Sequence, residues 1–278
     1  MDDLVQEVRA ELIDAINSNR IVLPTLPEVA LRIREAAEDP DTDIASITRT
    51  IEQDAAISAR VIRVSNSPLM RAANPITDLR MAISRLGVQY SCNLAVGLAM
   101  QQMFQATSQA VDQRMREVWS RSTEVAGISA VLARTYTRLK TDEAMLAGLV
   151  HKIGALPILR HAEDERRLLA RPEVLDLLID RLHGEIGKLI LETWGFPPEL
   201  VCVPVEYLDF ARKPARADYT DIVMVANLQS YLGSEHPLGS VDWKTVGAFA
   251  RIGLDPDVSA FEEEDLSAAM AASVAALQ

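Results

Sequence analysis

The chain has 278 residues, of which 49% are hydrophobic, 24% charged and 5% aromatic; that is enough apolar material for one large domain or two small ones and excludes disorder as the main state. With 28 basic against 40 acidic residues the formal net charge is −12, so a polyanion is repelled and direct nucleic-acid binding is disfavoured. Ala, Leu, Ile, Glu and Arg dominate over glycine and aromatics, a composition of helices, and the expected fold class is all-α.

Leu4, Val8, Leu12 and Ile16 mark one face of a first helix. Pro24, Pro27 and Pro40 bracket a second over 28–38, because proline tolerates a helix start but interrupts an interior. Asp43 and Asp54 stand where N-caps belong. In the helix after Asp54, the spacing of Ile57, Val61 and Val64 turns them to the core and Arg60 and Arg63 away, and Asn66-Ser67-Pro68 stops it. A short helix over 78–86 ends at Gly87 as a left-handed cap. Val88, Cys92, Ala95, Ala99 and Met103 form the apolar stripe of a helix ending near Phe104.

The polar stretch 105–112 places a boundary between an N-terminal helical subdomain, 1–107, and a second helical subdomain with a C-terminal extension, 108–278. Met115, Val118, Ser122, Val125, Ser129, Leu132, Tyr136 and Leu139 alternate by three and four over roughly seven turns, the longest helix expected. Beyond it the pattern predicts a helix over 142–156 stopped near Pro157, an Arg-rich segment to Arg181, and a helix from His183 to Trp194 capped by Gly195. Further helices are expected after Pro197-Pro198, within 217–232 and 243–252, and from Phe261 to Gln278, where acids precede alanines.

Common catalytic signatures are missing: there is no GxSxG elbow, no GxxxxGK[ST] loop and no GxGxxG turn. Cys92 and Cys202 lie in apolar stretches without metal-ligand spacing and read as reduced, packed thiols of a cytoplasmic protein. No apolar stretch approaches the roughly 20 residues that span a bilayer. Among four histidines, His161 and His236 read as solvated. His151 and His183 sit among apolar and small residues and read, on pattern alone, as structural histidines. Arg160, Arg166, Arg167 and Arg171 are interleaved with Glu163, Asp164 and Glu165, a solvated helix face.

Several ordered blocks together carry a family resemblance. They are 23–29 (Leu23-Pro24-Thr25-Leu26-Pro27-Glu28-Val29), 52–56 leading to 60–67, Pro75-Ile76, Ala82 to Gly87, Trp119 to Ser122, Ala147 to His151, His183 to Gly187 and Trp194-Gly195-Phe196-Pro197. In these blocks, over about residues 20–230, the chain resembles the HDOD domain, the HD-related output domain of bacterial signalling proteins. The resemblance implies an all-helical fold with an N-terminal subdomain packed on an HD-like one.

HD-type phosphohydrolases hold divalent metals with an early His, a His-Asp pair and a late Asp, and one branch adds further histidines. Carried onto this chain, those positions read Arg121, His151-Lys152 and Asn227, with His183 kept and Glu206-Tyr207 at a downstream His-His place. Three of these exchanges make the site more positive, and next to a divalent ion each unit of charge at about 4 Å costs several kcal/mol. The resemblance therefore implies no metal, no cofactor and no catalytic residue, and a non-catalytic regulatory protein. Its partner would be a separate regulatory protein, of the two-component or cyclic-dinucleotide signalling classes that such modules accompany, without membrane or direct nucleic-acid contact. Arg121, His151, Lys152, His183 and Asn227 are the candidate lining of a small cationic pocket for a phosphate or carboxylate. The alternative is a metal-dependent phosphohydrolase with a degenerate site.

Overall fold

The computed structural model describes residues 9, 10, 14, 23–70, 74–257 and 264–278. The first expected helix, on Leu4 to Ile16, lies outside the described residues. In chain order the helices are α1 (Glu28–Glu38), α2 (Ile44–Ile51), α3 (Ala55–Ser65), α4 (Leu79–Leu86), α5 (Val88–Ala99), α6 (Gln109–Tyr136), α7 (Thr141–Val150), α8 (Ala155–Asp164), α9 (Arg166–Leu169), α10 (Pro172–Thr193), α11 (Pro198–Val201), α12 (Val203–Glu206), α13 (Tyr219–Ser230), α14 (Gly247–Ile252) and α15 (Glu264–Leu277). Among the described residues there is no strand and no helix long and apolar enough to cross a membrane.

The capping carboxylates do what their positions require. Asp43 accepts from Ser46 N–H at 2.7 Å, Asp54 from Ala56 and Ile57 N–H, and Asp78 from Met81 N–H, each satisfying a donor that a helix start leaves orphaned. Ile57, Val61 and Val64 are buried as their spacing requires. Asn66 does more than end α3: its side-chain amide donates to Ile76 O at 2.8 Å while its carbonyl accepts from Ile76 N–H at 2.8 Å. That two-way bond ties the segment after α3 back to the start of α4.

The spine is α6, 28 residues long and so about 42 Å at 1.5 Å per residue. It packs against α7, α8, α13 and α15. A second long helix, α10, packs against α8, α11 and α12. On the other side α1 lies on α5, and α5 lies on α7, so the boundary near residue 107 divides the sequence but not the core. A single buried apolar cluster runs from Ala30 to Leu277. The C-terminal helix α15 touches both halves, packing on α6 and on α3.

Three local expectations are corrected. The helix over 142–156 is two: α7 ends at Val150, residues 151–154 form a turn, and α8 begins at Ala155. Pro157 does not stop a helix but sits in the first turn of α8, where a missing N–H costs nothing. The helix holding His183 starts at Pro172, not at His183, because proline at a first helical position is pre-organised for it. Gly87 has φ 90° and ψ 154°, a positive-φ link that joins α4 directly to α5 instead of a left-handed cap.

Gly154 shows why the 151–154 turn carries a small residue. A Cβ there would lie 2.0 Å from His183 O and 2.4 Å from Gly187 N, so the turn rests on the backbone of α10. Gly154→Ala is expected to cost about 3 kcal/mol by overpacking, and Asn66→Ala about 1–3 kcal/mol by stranding the Ile76 backbone groups. Urea unfolding checks both, and a loss below about 0.5 kcal/mol at either position contradicts the assignment.

Candidate functional site

The break between α7 and α8 decides the local chemistry. It places His151 at the end of α7 with its side chain fully buried and Lys152 beside it, half-buried. His151 Nδ1–H donates to Gly148 O at 2.6 Å; a carbonyl can only accept, so the neutral ring carries its lone pair on Nε2. That Nε2 is buried and has no hydrogen-bond partner. From the middle of α10, His183 Nδ1–H donates to Ile179 O at 2.6 Å, and its Nε2 accepts from the Tyr207 hydroxyl at 2.8 Å.

Tyr207 follows α12 and is fully buried between the two imidazoles. Its ring meets His151 edge-on at 4.9 Å between centroids and His183 at 5.7 Å. Burial first, and the Lys152 ammonium second, push the His151 pKa down to about 3 and that of His183 to about 4. Burial pushes the Tyr207 hydroxyl well above its ordinary value. All three groups are therefore neutral at physiological pH, with the tyrosine proton serving His183.

Above this buried triad opens a recess of about 570 Å³ bordered by Arg121, Lys152, Arg114, Asp176, Asp180, Tyr231 and His236, among others. Arg121, from α6, donates from Nη1 to Ser230 O at 2.9 Å and to Glu124 at 2.8 Å, and its guanidinium lies 4.3 Å from the Tyr231 ring centroid. His236 stacks on the same tyrosine at 4.0 Å. Arg114 pairs with Asp176. Among the described residues the Lys152 ammonium makes no hydrogen bond or ion pair.

Of the five candidate residues only Arg121 and Lys152 line the recess. His151, His183 and Asn227 are buried and absent from its walls, and the histidines add no charge. The acids Glu117, Asp176 and Asp180 also border it, but they are exposed, whereas Lys152 and Arg121 are half-buried. The two half-buried cations are thus less screened than these exposed acids, because charges open to water are screened more. Asn227, on α13, leaves Oδ1 buried and unpartnered. His161 is half-buried, with a buried Nε2 that lacks a partner, and is not simply solvated.

Two arrangements had no signal in composition or spacing. Arg212 donates to Asp218, to Asp221 at 2.6 Å and to Glu206 at 3.0 Å, and Arg251 donates to Asp221 at 2.7 Å. Burial opposes the charge on Arg212, yet the bonds to Asp218 and Asp221 hold its pKa above the ordinary value. Glu206 precedes Tyr207, so this network fixes the segment that presents the tyrosine. Elsewhere Arg34 of α1 donates to Trp194 O at 2.5 Å and covers the Phe196 ring, while Trp194 Nε1–H donates to Pro24 O at 2.9 Å. Those contacts join the first and last blocks of the family pattern.

The residues do not fit a divalent metal. His183 Nε2 is taken by Tyr207, leaving His151 Nε2 as the free imidazole donor, and the neighbouring group is an ammonium. Among the described residues no three His, Cys, Asp or Glu side chains converge in a way that could hold an ion.

Tyr207→Phe is expected to cost about 1–3 kcal/mol by stranding a buried acceptor and to raise the His183 pKa, read by NMR titration. The depressed histidine pKa values set a pH dependence as well. The unfolded chain takes up protons near pH 6.5 that the folded chain refuses, so their contribution is full above that pH and is lost as pH falls toward 4. Thermal melts should show this fall, and His151→Gln should make it shallower; an unchanged slope contradicts the burial assignment.

The HDOD domain family profile matches residues 23–207. Over the full length of both chains, the structure is similar to a Shewanella amazonensis protein provisionally described as a metal-dependent phosphohydrolase, at 30% identity and TM-score 0.89. It is also similar to an HDOD domain protein of unknown function from Geobacter sulfurreducens, at 22% identity and TM-score 0.67 over 98% of this chain and 99% of that one. A curated Treponema pallidum protein, uncharacterized, is 24% identical over 189 residues, 64% of this chain but 36% of its own length. The chain thus spans about a third of the curated relative it matches. With two thirds of its length inside the family profile and an all-helical architecture shared with these structures, this chain belongs to the HDOD domain family.

Proposed function

We propose that this chain is a non-catalytic signalling protein that acts by binding a separate regulatory protein, and that its recess takes a small phosphate- or carboxylate-type anion. The observation that carries the first part is the sealing of His183 by Tyr207 beside the Lys152 ammonium. Without a bound metal there is no acidified water to attack a phosphate ester. A Marinobacter aquaeolei protein of the same fold, provisionally described as a signal transduction protein, is 23% identical over 93% of this chain and 60% of its own, which is in keeping with a signalling role. Two-component and cyclic-dinucleotide proteins are the partner classes proposed, and the free thiols Cys92 and Cys202 suit a cytoplasmic site of action.

For the anion, the support is geometric. Lys152 offers three unused donors on the wall of the recess, and both bonds of Arg121 leave from Nη1. Arg121 and Lys152 are the residues proposed to touch the ligand, while His151, His183 and Asn227 are buried and outside its lining.

A second reading, metal-dependent phosphohydrolase, draws on the description of the Shewanella relative and on the open Nε2 of His151. Assays with bis-p-nitrophenyl phosphate and nucleotides, each with added manganese, iron, zinc or magnesium, separate the two. The non-catalytic reading predicts no turnover above the metal blank and substoichiometric bound metal. Turnover that follows stoichiometric metal and is lost in His151→Ala establishes the hydrolase. Calorimetric titration with inorganic phosphate is expected to give heat that Lys152→Ala abolishes; no heat with the wild-type chain overturns the anion assignment.

A further inference from the structure

Arg121 belongs to two places at once. Its guanidinium borders the recess, and its Nη1 is bonded to Glu124, one turn along α6. Glu124 in turn borders a different cleft, of about 380 Å³, whose other wall is Met270, Ala271, Val274, Ala275 and Gln278. Glu124 therefore lies across a cleft from the C-terminal turns of α15. A helix C-terminus carries about half a negative charge on its unsatisfied carbonyls, and α15 has no basic residue of its own there.

The contact is close: a Cβ on Gly127 would lie 2.6 Å from a Val274 methyl and 2.8 Å from its backbone nitrogen. Arg63 of α3 approaches the same end of α15, with Nη1 3.5 Å from Ala275 O. Arg121 is the cation that acts on Glu124, whose carboxyl burial raises above its ordinary pKa. Removing Arg121 leaves a partly buried carboxylate facing the negative end of a helix.

We propose that the recess is an effector site whose occupation by a phosphate-type oxyanion draws Arg121 away from Glu124 and loosens the docking of α15. This rests on the reading of the recess as an anion site. An anion held between Lys152 and the unused Nε and Nη2 donors of Arg121 shares the guanidinium charge with Glu124 and weakens the Nη1 pair, and the cost falls on the far side of α6. Loosening α15 uncovers apolar surface on both halves, since the helix packs on α6, on α3 and on the turn at Pro68–Met70.

Amide hydrogen exchange across α15 in the full chain tests this, with inorganic phosphate as the probe. A part-exposed ion pair contributes up to about 1 kcal/mol, so saturating phosphate should speed exchange of the α15 amides by about two- to fivefold in the wild type and leave Glu124→Gln unchanged. Arg121→Ala should produce the same acceleration without phosphate, and the double variant Arg121→Ala, Glu124→Gln should restore slow exchange. Phosphate that binds without altering α15 exchange overturns the coupling. So does an acceleration in Arg121→Ala that persists in the double variant, or no acceleration at all. Absence of phosphate binding overturns the anion reading on which the effector role rests, and the variant series then decides the Arg121–Glu124–α15 linkage by itself.

Discussion

The hydroxyl of Tyr207 points its proton at Nε2 of His183 across 2.8 Å, inside a core from which water is excluded. In that setting a hydrogen bond is costly to leave unmade, because each stranded polar group pays its full desolvation penalty. The tyrosine therefore does two jobs. It satisfies one imidazole, and its ring stands edge-on against the other. Two histidines that could have been metal ligands are thereby built into the packing as neutral, mutually shielded groups, with the Lys152 charge lying over them as a further obstacle to a cation.

Everything around the triad serves to keep that arrangement in place. The turn at 151–154 rests on α10 through Gly154, which sets the distance between the two histidine-bearing helices. Arg212, Asp221 and Arg251 hold the chain on either side of Tyr207, with Asp221 fully buried and matched by two guanidinium groups. A buried carboxylate is tolerable only with such partners. Farther out, Arg34 and Trp194 fasten α1 and the segment before it to the end of α10.

Much of the fold was legible because its signals are local. Asp43 and Asp54 each cap the helix that follows within three residues, and Glu28–Glu38 is bounded by prolines on both sides. Of the residues matched by position to the HD pattern, His151, His183 and Tyr207 come together in the structure, with Lys152 next to His151 in the chain. What spacing could not convey is which of them face water. His183 falls within a long helix whose inner face depends on α8 and α12, and the role of Tyr207 depends on a rotamer reaching across 24 residues of chain. Arg212 and Arg251 look like ordinary surface arginines until α13 brings Asp221 between them. Pro157 misled for a related reason, since proline at a helix start and proline at a helix end look alike until the break is located.

The central claim is that both histidines are buried, neutral Nδ1–H tautomers, with Nε2 of His183 sealed by Tyr207. Long-range proton–nitrogen correlation spectra of the histidine rings, recorded near pH 6 with and without a stoichiometric excess of zinc, address it directly. The account predicts two buried rings with protonated Nδ1 and unprotonated Nε2, a hydrogen-bond shift on His183 Nε2, and no change on adding zinc. Zinc-induced movement of the Nε2 resonance of His151 or His183, or a ring found as imidazolium at that pH, contradicts it.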